Sequence, residues 1–197
     1  VTPSGNNFEI VRYKNAPSRT FVHSGVKKTL DDTFSALDTA LPDAKFLIGE
    51  TGLEHGGILS GHHTHRNGLS VDLFVPVRDA TDNSLMLFTN DSRNTYGYKE
   101  RFDDNTGISG SGRMLIDFEV LAEYLFQLNE AAKRNDLQIH RVILTTAFQS
   151  KLMDTKRGPY IRSNLKLWND PGDRHDNHMH VDFNIDCRAM FRYQKPS

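Results

Sequence analysis

At 197 residues, with 37% apolar and 25% charged positions, the chain is long enough to bury a real core and suits one domain spanning 1–197. A formal net charge of −1 gives no general attraction to nucleic acid or to an anionic membrane, and no apolar run approaches the roughly 20 residues that span a bilayer. Cys187 is the only cysteine, which excludes an internal disulfide and a thiolate cage for structural zinc; it reads as a small packed hydrophobe.

In chain order, "FEIVRY" (8–13) alternates as a strand does. From Thr29, the residues Leu30, Phe34, Leu37 and Leu41 recur at helical spacing until Pro42 closes the helix. "KFLIGE" (45–50) predicts a strand, and "GLSVDLFVPV" (68–77) a stronger one. Residues 89–113 are polar and rich in Gly, Asn, Asp and Ser, which predicts a long loop. "GISGSG" within it lacks the Lys-Ser/Thr ending of a phosphate-cradling loop. The clearest helix is 117–134, where Phe118, Leu121, Leu125, Leu128 and Ala132 form one apolar stripe, with acids early and Lys133-Arg134 late. "QIHRVILTT" (138–146) and "HMHVDFNI" (178–185) read as strands, and Trp168 either as partly packed into the core or, with the 89–113 loop, as lining an extended polar groove. Helices and strands mix without regular alternation, which points to an α+β fold with an antiparallel or mixed sheet flanked by helices.

Six of the nine histidines fall in two short windows, "GHHTHRNGLSVDLF" (61–74) and "RHDNHMHVDF" (174–183). As a strand, the second window points His178, His180 and Asp182 to one face and Met179, Val181 and Phe183 to the other. The apolar trio suits the core; the polar trio must face a site or solvent. In the first window Asp72 lies between Val71 and Leu73, where a carboxylate is costly to bury unless it is paired or holds a cation. A bend at Asn67-Gly68, with Gly68 free to take positive φ, would fold His65 back toward it. His65, Asp72 and His180 would then make a three-ligand site for Zn2+ or a similar divalent metal, with a fourth position open for water as in catalytic zinc. His23, His55 and His140 stand alone and read as structural.

The pattern of His, six residues, Asp, and a later His-x-His resembles the LAS-type zinc peptidases. That group shares a small α+β fold and includes D-alanyl-D-alanine peptidases and the Hedgehog signalling domain. The chain is most similar there to the penicillin-insensitive murein endopeptidase family, at Gly56-Gly57, Gly61-His62, Thr64-His65 and Gly68-Leu69 through Val71-Asp72. The closing motif matches at His175, Asp176, His178, Met179 and His180. Arg66-Asn67 and Ser70 depart from it. The resemblance implies a zinc-dependent endopeptidase that hydrolyses amide bonds in the cross-linking peptides of peptidoglycan, of the D-alanyl-diaminopimelate or diaminopimelate-diaminopimelate type. It implies His178 as general base and His62 and His175 as further residues at the reacting centre; Asp176 or Asp182 would either orient a ligand imidazole or serve as a plain surface carboxylate. It also implies a periplasmic or secreted location; the opening at Val1 suits a removed secretory signal or a trimmed tag.

Related alternatives are a D,D-carboxypeptidase or a phage or secreted cell-wall lysin of the same family. A non-catalytic zinc-stabilised binding domain is the rival from another class, and His178 argues against it. A cupin needs Glu four residues after its second His, where this chain has Leu69. A nuclease built around "DRHDNH" lacks a basic stripe.

Overall fold

The computed structural model describes residues 7–11, 19–58, 64–89, 95–169 and 175–185. Nine strands and four helices occur among them. β1 (Phe8–Ile10), β2 (Phe46–Ile48), β3 (Ser70–Phe74), β7 (Leu137–Ile143), β8 (Leu167–Trp168) and β9 (His178–Ile185) form a six-stranded sheet in the order β1-β2-β3-β9-β7-β8. The pairs β1–β2 and β7–β8 are parallel and the rest antiparallel, so the sheet is mixed. β4 (Val77–Asp79), β5 (Leu85–Met86) and β6 (Met114–Ile116) form a small antiparallel sheet in the order β5-β4-β6. This is the expected α+β class with a mixed sheet.

The helices α1 (Ser24–Ala40), α2 (Phe118–Arg134), α3 (Thr146–Met153) and α4 (Gly158–Asn164) supply the other layer. α1 packs on α2, and α2 on β7. Asp117 caps α2 by accepting from the Val120 amide, while Lys133 and Arg134 sit in the last turn where they favour the helix dipole. Phe8, Phe34, Phe46 and Tyr124 form an aromatic cluster between these helices and the first two strands. Val71, Leu73, Met179, Val181 and Phe183 are buried in the same core. No helix among the described residues is long and apolar enough to cross a membrane.

Several expected boundaries move. α1 begins five residues before Thr29, because His23 caps it by accepting from the Gly25 amide. The run 68–77 is two strands in different sheets, broken at Val75-Pro76. Between residues 95 and 113 the chain makes turns and isolated bridges and no regular strand or helix, in line with the expected loop. The core reading of Trp168 is corrected, because the residue is 43% exposed on the edge strand β8. Cys187 lies outside the described residues.

Gly68 has the positive φ expected of it, +74°, and its carbonyl accepts from the His23 amide at 2.9 Å. A Cβ there would lie 2.6 Å from the His23 nitrogen. Gly68→Ala therefore combines an unfavourable backbone conformation with a backbone clash, and is expected to cost about 1–3 kcal/mol. A denaturant midpoint that falls at unchanged slope checks this; an unmoved midpoint contradicts it.

Candidate metal centre

β3 and β9 lie side by side, with Asp72 opposite His180 and Phe74 opposite His178. Directly paired residues share a sheet face. The same pairing sends Val71, Leu73, Met179 and Val181 to the core, so the polar side chains are left together on the other face. His65 arrives from the segment before β3. It has positive φ itself, +58°, and with Gly68 this bends the chain back over the strand.

The three side chains converge. His65 Nε2 lies 3.1 Å from His180 Nδ1 and 3.2 Å from Asp72 Oδ1, and His180 Nδ1 lies 2.9 Å from Asp72 Oδ1. A tetrahedral cation with ligands at about 2.0–2.1 Å needs donor atoms about 3.3–3.4 Å apart, so this triangle is close to one face of such a tetrahedron. All three residues are buried. Two imidazoles and a carboxylate, without sulfur, suit zinc and related first-row divalent ions.

Each donor atom is held in place by a partner behind it. His65 Nδ1 is 2.5 Å from the Thr51 carbonyl, an acceptor, so Nδ1 carries the proton and Nε2 presents a lone pair inward. His180 Nε2 lies 2.9 Å from Asp182 Oδ1, which also accepts from Ser70 Oγ at 2.6 Å, while Asp182 Oδ2 accepts from Arg141 Nε at 2.6 Å. Thr64 Oγ1 is 3.2 Å from the same His180 nitrogen. Burial alone would lower the His180 pKa, but hydrogen bonds to Asp182 and Asp72 outweigh it and raise it to about 9. Burial would likewise raise Asp72; His178, His65 and His180 outweigh that and hold its carboxyl well below the usual range.

The second oxygen of Asp72 accepts from the Tyr98 hydroxyl at 2.9 Å, and that hydroxyl accepts from the Glu50 amide at 2.7 Å. Gly49 makes room for it, since a Cβ there would lie 2.4 Å from the Tyr98 oxygen. Asn177 donates its amide to the carbonyls of Tyr98 (3.0 Å) and Glu100 (2.8 Å), which fixes its oxygen as an acceptor. His178 Nδ1 stands 2.5 Å from that oxygen and so carries the proton, leaving the lone pair on Nε2, 3.9 Å from Asp72 Oδ2.

A family model for penicillin-insensitive murein endopeptidase matches residues 1–192. The chain belongs to that family. No curated protein matches it. As a murein endopeptidase it is a hydrolase of peptidoglycan, a substrate that lies outside the cytoplasm, and its buried cluster is a possible metal site. Of the other residues that reading of the sequence connected with this endopeptidase's chemistry, His175 lies beside the cluster, its ring centroid 4.9 Å from that of His178 and 6.3 Å from that of His180. His62 lies outside the described residues. Asp182 contacts a cluster imidazole, whereas fully buried Asp176 accepts from Arg101 at 3.1 Å and the Phe102 amide at 3.4 Å and ties the 95–113 segment down. Tyr98, Asn177 and Arg141 carry no motif that would have marked them.

Proposed function

We infer that the protein, as one zinc peptidase domain over 1–197, cuts the amide of D-alanyl-diaminopimelate or diaminopimelate-diaminopimelate cross-links, in the periplasm or after secretion. The observation that carries this is the triangle of His65 Nε2, Asp72 Oδ1 and His180 Nδ1 with edges of 2.9–3.2 Å, beside a histidine whose Nε2 lone pair is fixed by its neighbours. His65, Asp72 and His180 would hold Zn2+. When bound, the cation supplies Lewis acidity, polarising the scissile carbonyl and acidifying the attacking water.

The remaining work falls to the chain's own groups. His178 takes a proton at Nε2 as water attacks and returns it to the departing amine; Asn177 keeps that imidazole in the needed tautomer by accepting from Nδ1. His175, at one side of His178, and His62 are assigned to the substrate and its developing charge. Asp182 orients His180, with Ser70 and Arg141 fixing the carboxylate in turn. The burial of the cluster keeps competing water away.

The test is digestion of cross-linked muropeptides followed by mass spectrometry. Cross-linked dimers should give way to monomers, stop doing so with a chelator and resume on addition of zinc. Dimers that persist with zinc present would contradict the reading. Tyr98→Phe tests the support behind Asp72. It removes one bond to the carboxylate and strands the buried Glu50 amide, with an expected 10–100-fold loss of zinc affinity (roughly) and a stability loss of about 1–3 kcal/mol. Zinc titration and denaturant unfolding read the two effects; wild-type values in both would show Tyr98 to be dispensable.

A further inference from the structure

The sheet register places an exposed aromatic in line with the metal centre. Trp168 on β8 pairs with Ile143 on β7, Ile143 pairs with His180 on β9, and His180 pairs with Asp72 on β3. Paired residues share a face, so this row runs from the cluster to the sheet edge on the side away from the core. At about 4.8 Å per strand, Trp168 stands two strands, about 10 Å, from His180. It is 43% exposed, one of three large apolar residues among the described ones with such exposure.

The surroundings of Trp168 are basic. The Arg141 guanidinium lies 5.6 Å from its ring centroid and the Lys166 ammonium 6.0 Å. Arg141 reaches this face because β7 has a register irregularity between Ile139 and Arg141. Ile139 pairs with Phe183 toward the core, and the extra residue, exposed His140, turns Arg141 to the opposite face, against Asp182. Lys166 is two residues before Trp168 in an extended segment and so stands on the same face. One aromatic surface flanked by two cations, about three residues of extended peptide from the reacting centre, suits a carboxylate-bearing peptide. Arg141 already has Asp182 as its counter-charge through Nε, so Lys166 is the cation that an uncharged chain would leave without a counterpart.

We propose that Trp168, Arg141 and Lys166 form a subsite for the acidic stem peptide of the substrate, binding a carboxylate about three residues from the scissile amide while the indole packs on the adjoining peptide. This rests on the endopeptidase reading for the direction of the substrate, and its test does not depend on turnover. Trp168 is the only tryptophan in the chain, so emission excited selectively at tryptophan, apart from the six tyrosines, reports this surface alone.

The protein is titrated with the stem tetrapeptide L-alanyl-γ-D-glutamyl-diaminopimelyl-D-alanine, which has no cross-link to cut. Emission should change saturably. The apparent Kd should rise about tenfold when the peptide's carboxylates are converted to amides, and about tenfold for Lys166→Gln, as expected for loss of one charge-assisted contact. Raised salt should weaken binding. In hydrolysis, Trp168→Phe and Lys166→Gln should raise KM with kcat nearly unchanged. Unaltered emission while the same peptide competitively inhibits hydrolysis would overturn the subsite, and so would equal affinity for acid and amide forms. A saturable, carboxylate-dependent response with no cross-link cleaved would uphold the subsite and count against the proposed reaction.

Discussion

Asp72→Asn is expected to abolish both zinc retention and cross-link cleavage while leaving the fold in place. Asparagine matches the shape of the carboxylate between Val71 and Leu73, and the flanking backbone bonds from the Gly49 amide to the Asp72 carbonyl and from the Asp72 amide to the Glu50 carbonyl are untouched. What disappears is the charge that faces three imidazoles, through Oδ1 to His65 and His180 and through Oδ2 toward His178. Loss of an outer partner typically costs about 10–100-fold in metal affinity, and a lost ligand should cost more. Native mass spectrometry should find no retained zinc, with far-UV circular dichroism unchanged. A variant that keeps zinc at wild-type stoichiometry would remove Asp72 from the ligand set.

The same site fixes the sign of its pH dependence. Protonated His180 is favoured up to about pH 9 by Asp182 and Asp72, while zinc needs the lone pair on Nδ1. Binding must therefore displace one proton below about pH 9, and zinc affinity should fall about tenfold per unit as pH decreases from there. Asp72, held well below the usual carboxylate range, stays ionised through that window.

His178→Ala separates acid-base chemistry from metal binding, and is the second large effect. His178 stands opposite Phe74 with Nε2 3.9 Å from Asp72 Oδ2, outside the triangle of donor atoms. Zinc content should remain that of the wild type, while kcat should fall about 10²–10⁴-fold, the usual range for removal of a general base. Added imidazole should restore part of the rate, because the space left by the ring lies beside the reacting centre. Wild-type kcat in this variant would end the assignment. Loss of zinc would instead move His178 into the ligand set.

The convergence of His65, Asp72 and His180 is legible in the sequence where its signal is local. The alternation of 178–183 separated the polar from the apolar trio, and a carboxylate between Val71 and Leu73 had to have a reason to be buried. Gly68 marked the bend. The supporting groups were not legible, because they act across distance. Tyr98 reaches Asp72 from a polar loop with no periodicity, and Asn177 stands in the sequence only as a spacer between matched residues. Arg141 was hidden by the irregularity in β7: strict alternation puts it on the same side as Ile139, and only the extra residue turns it to Asp182. For the fold, the start of α1 carries no usual signal, because its cap is His23 and not one of the usual Ser, Thr, Asp or Asn. The continuous apolar run 68–77 concealed the change of sheet at Pro76, since burial on both sides erases alternation.

The most direct measurement is anomalous X-ray diffraction at the zinc absorption edge from crystals of the full chain grown with zinc. The account predicts one strong peak at about 2.0–2.2 Å from His65 Nε2, Asp72 Oδ1 and His180 Nδ1 together, with His178 Nε2 beyond bonding distance. A zinc peak elsewhere, or none at this point in crystals soaked with the ion, would contradict it.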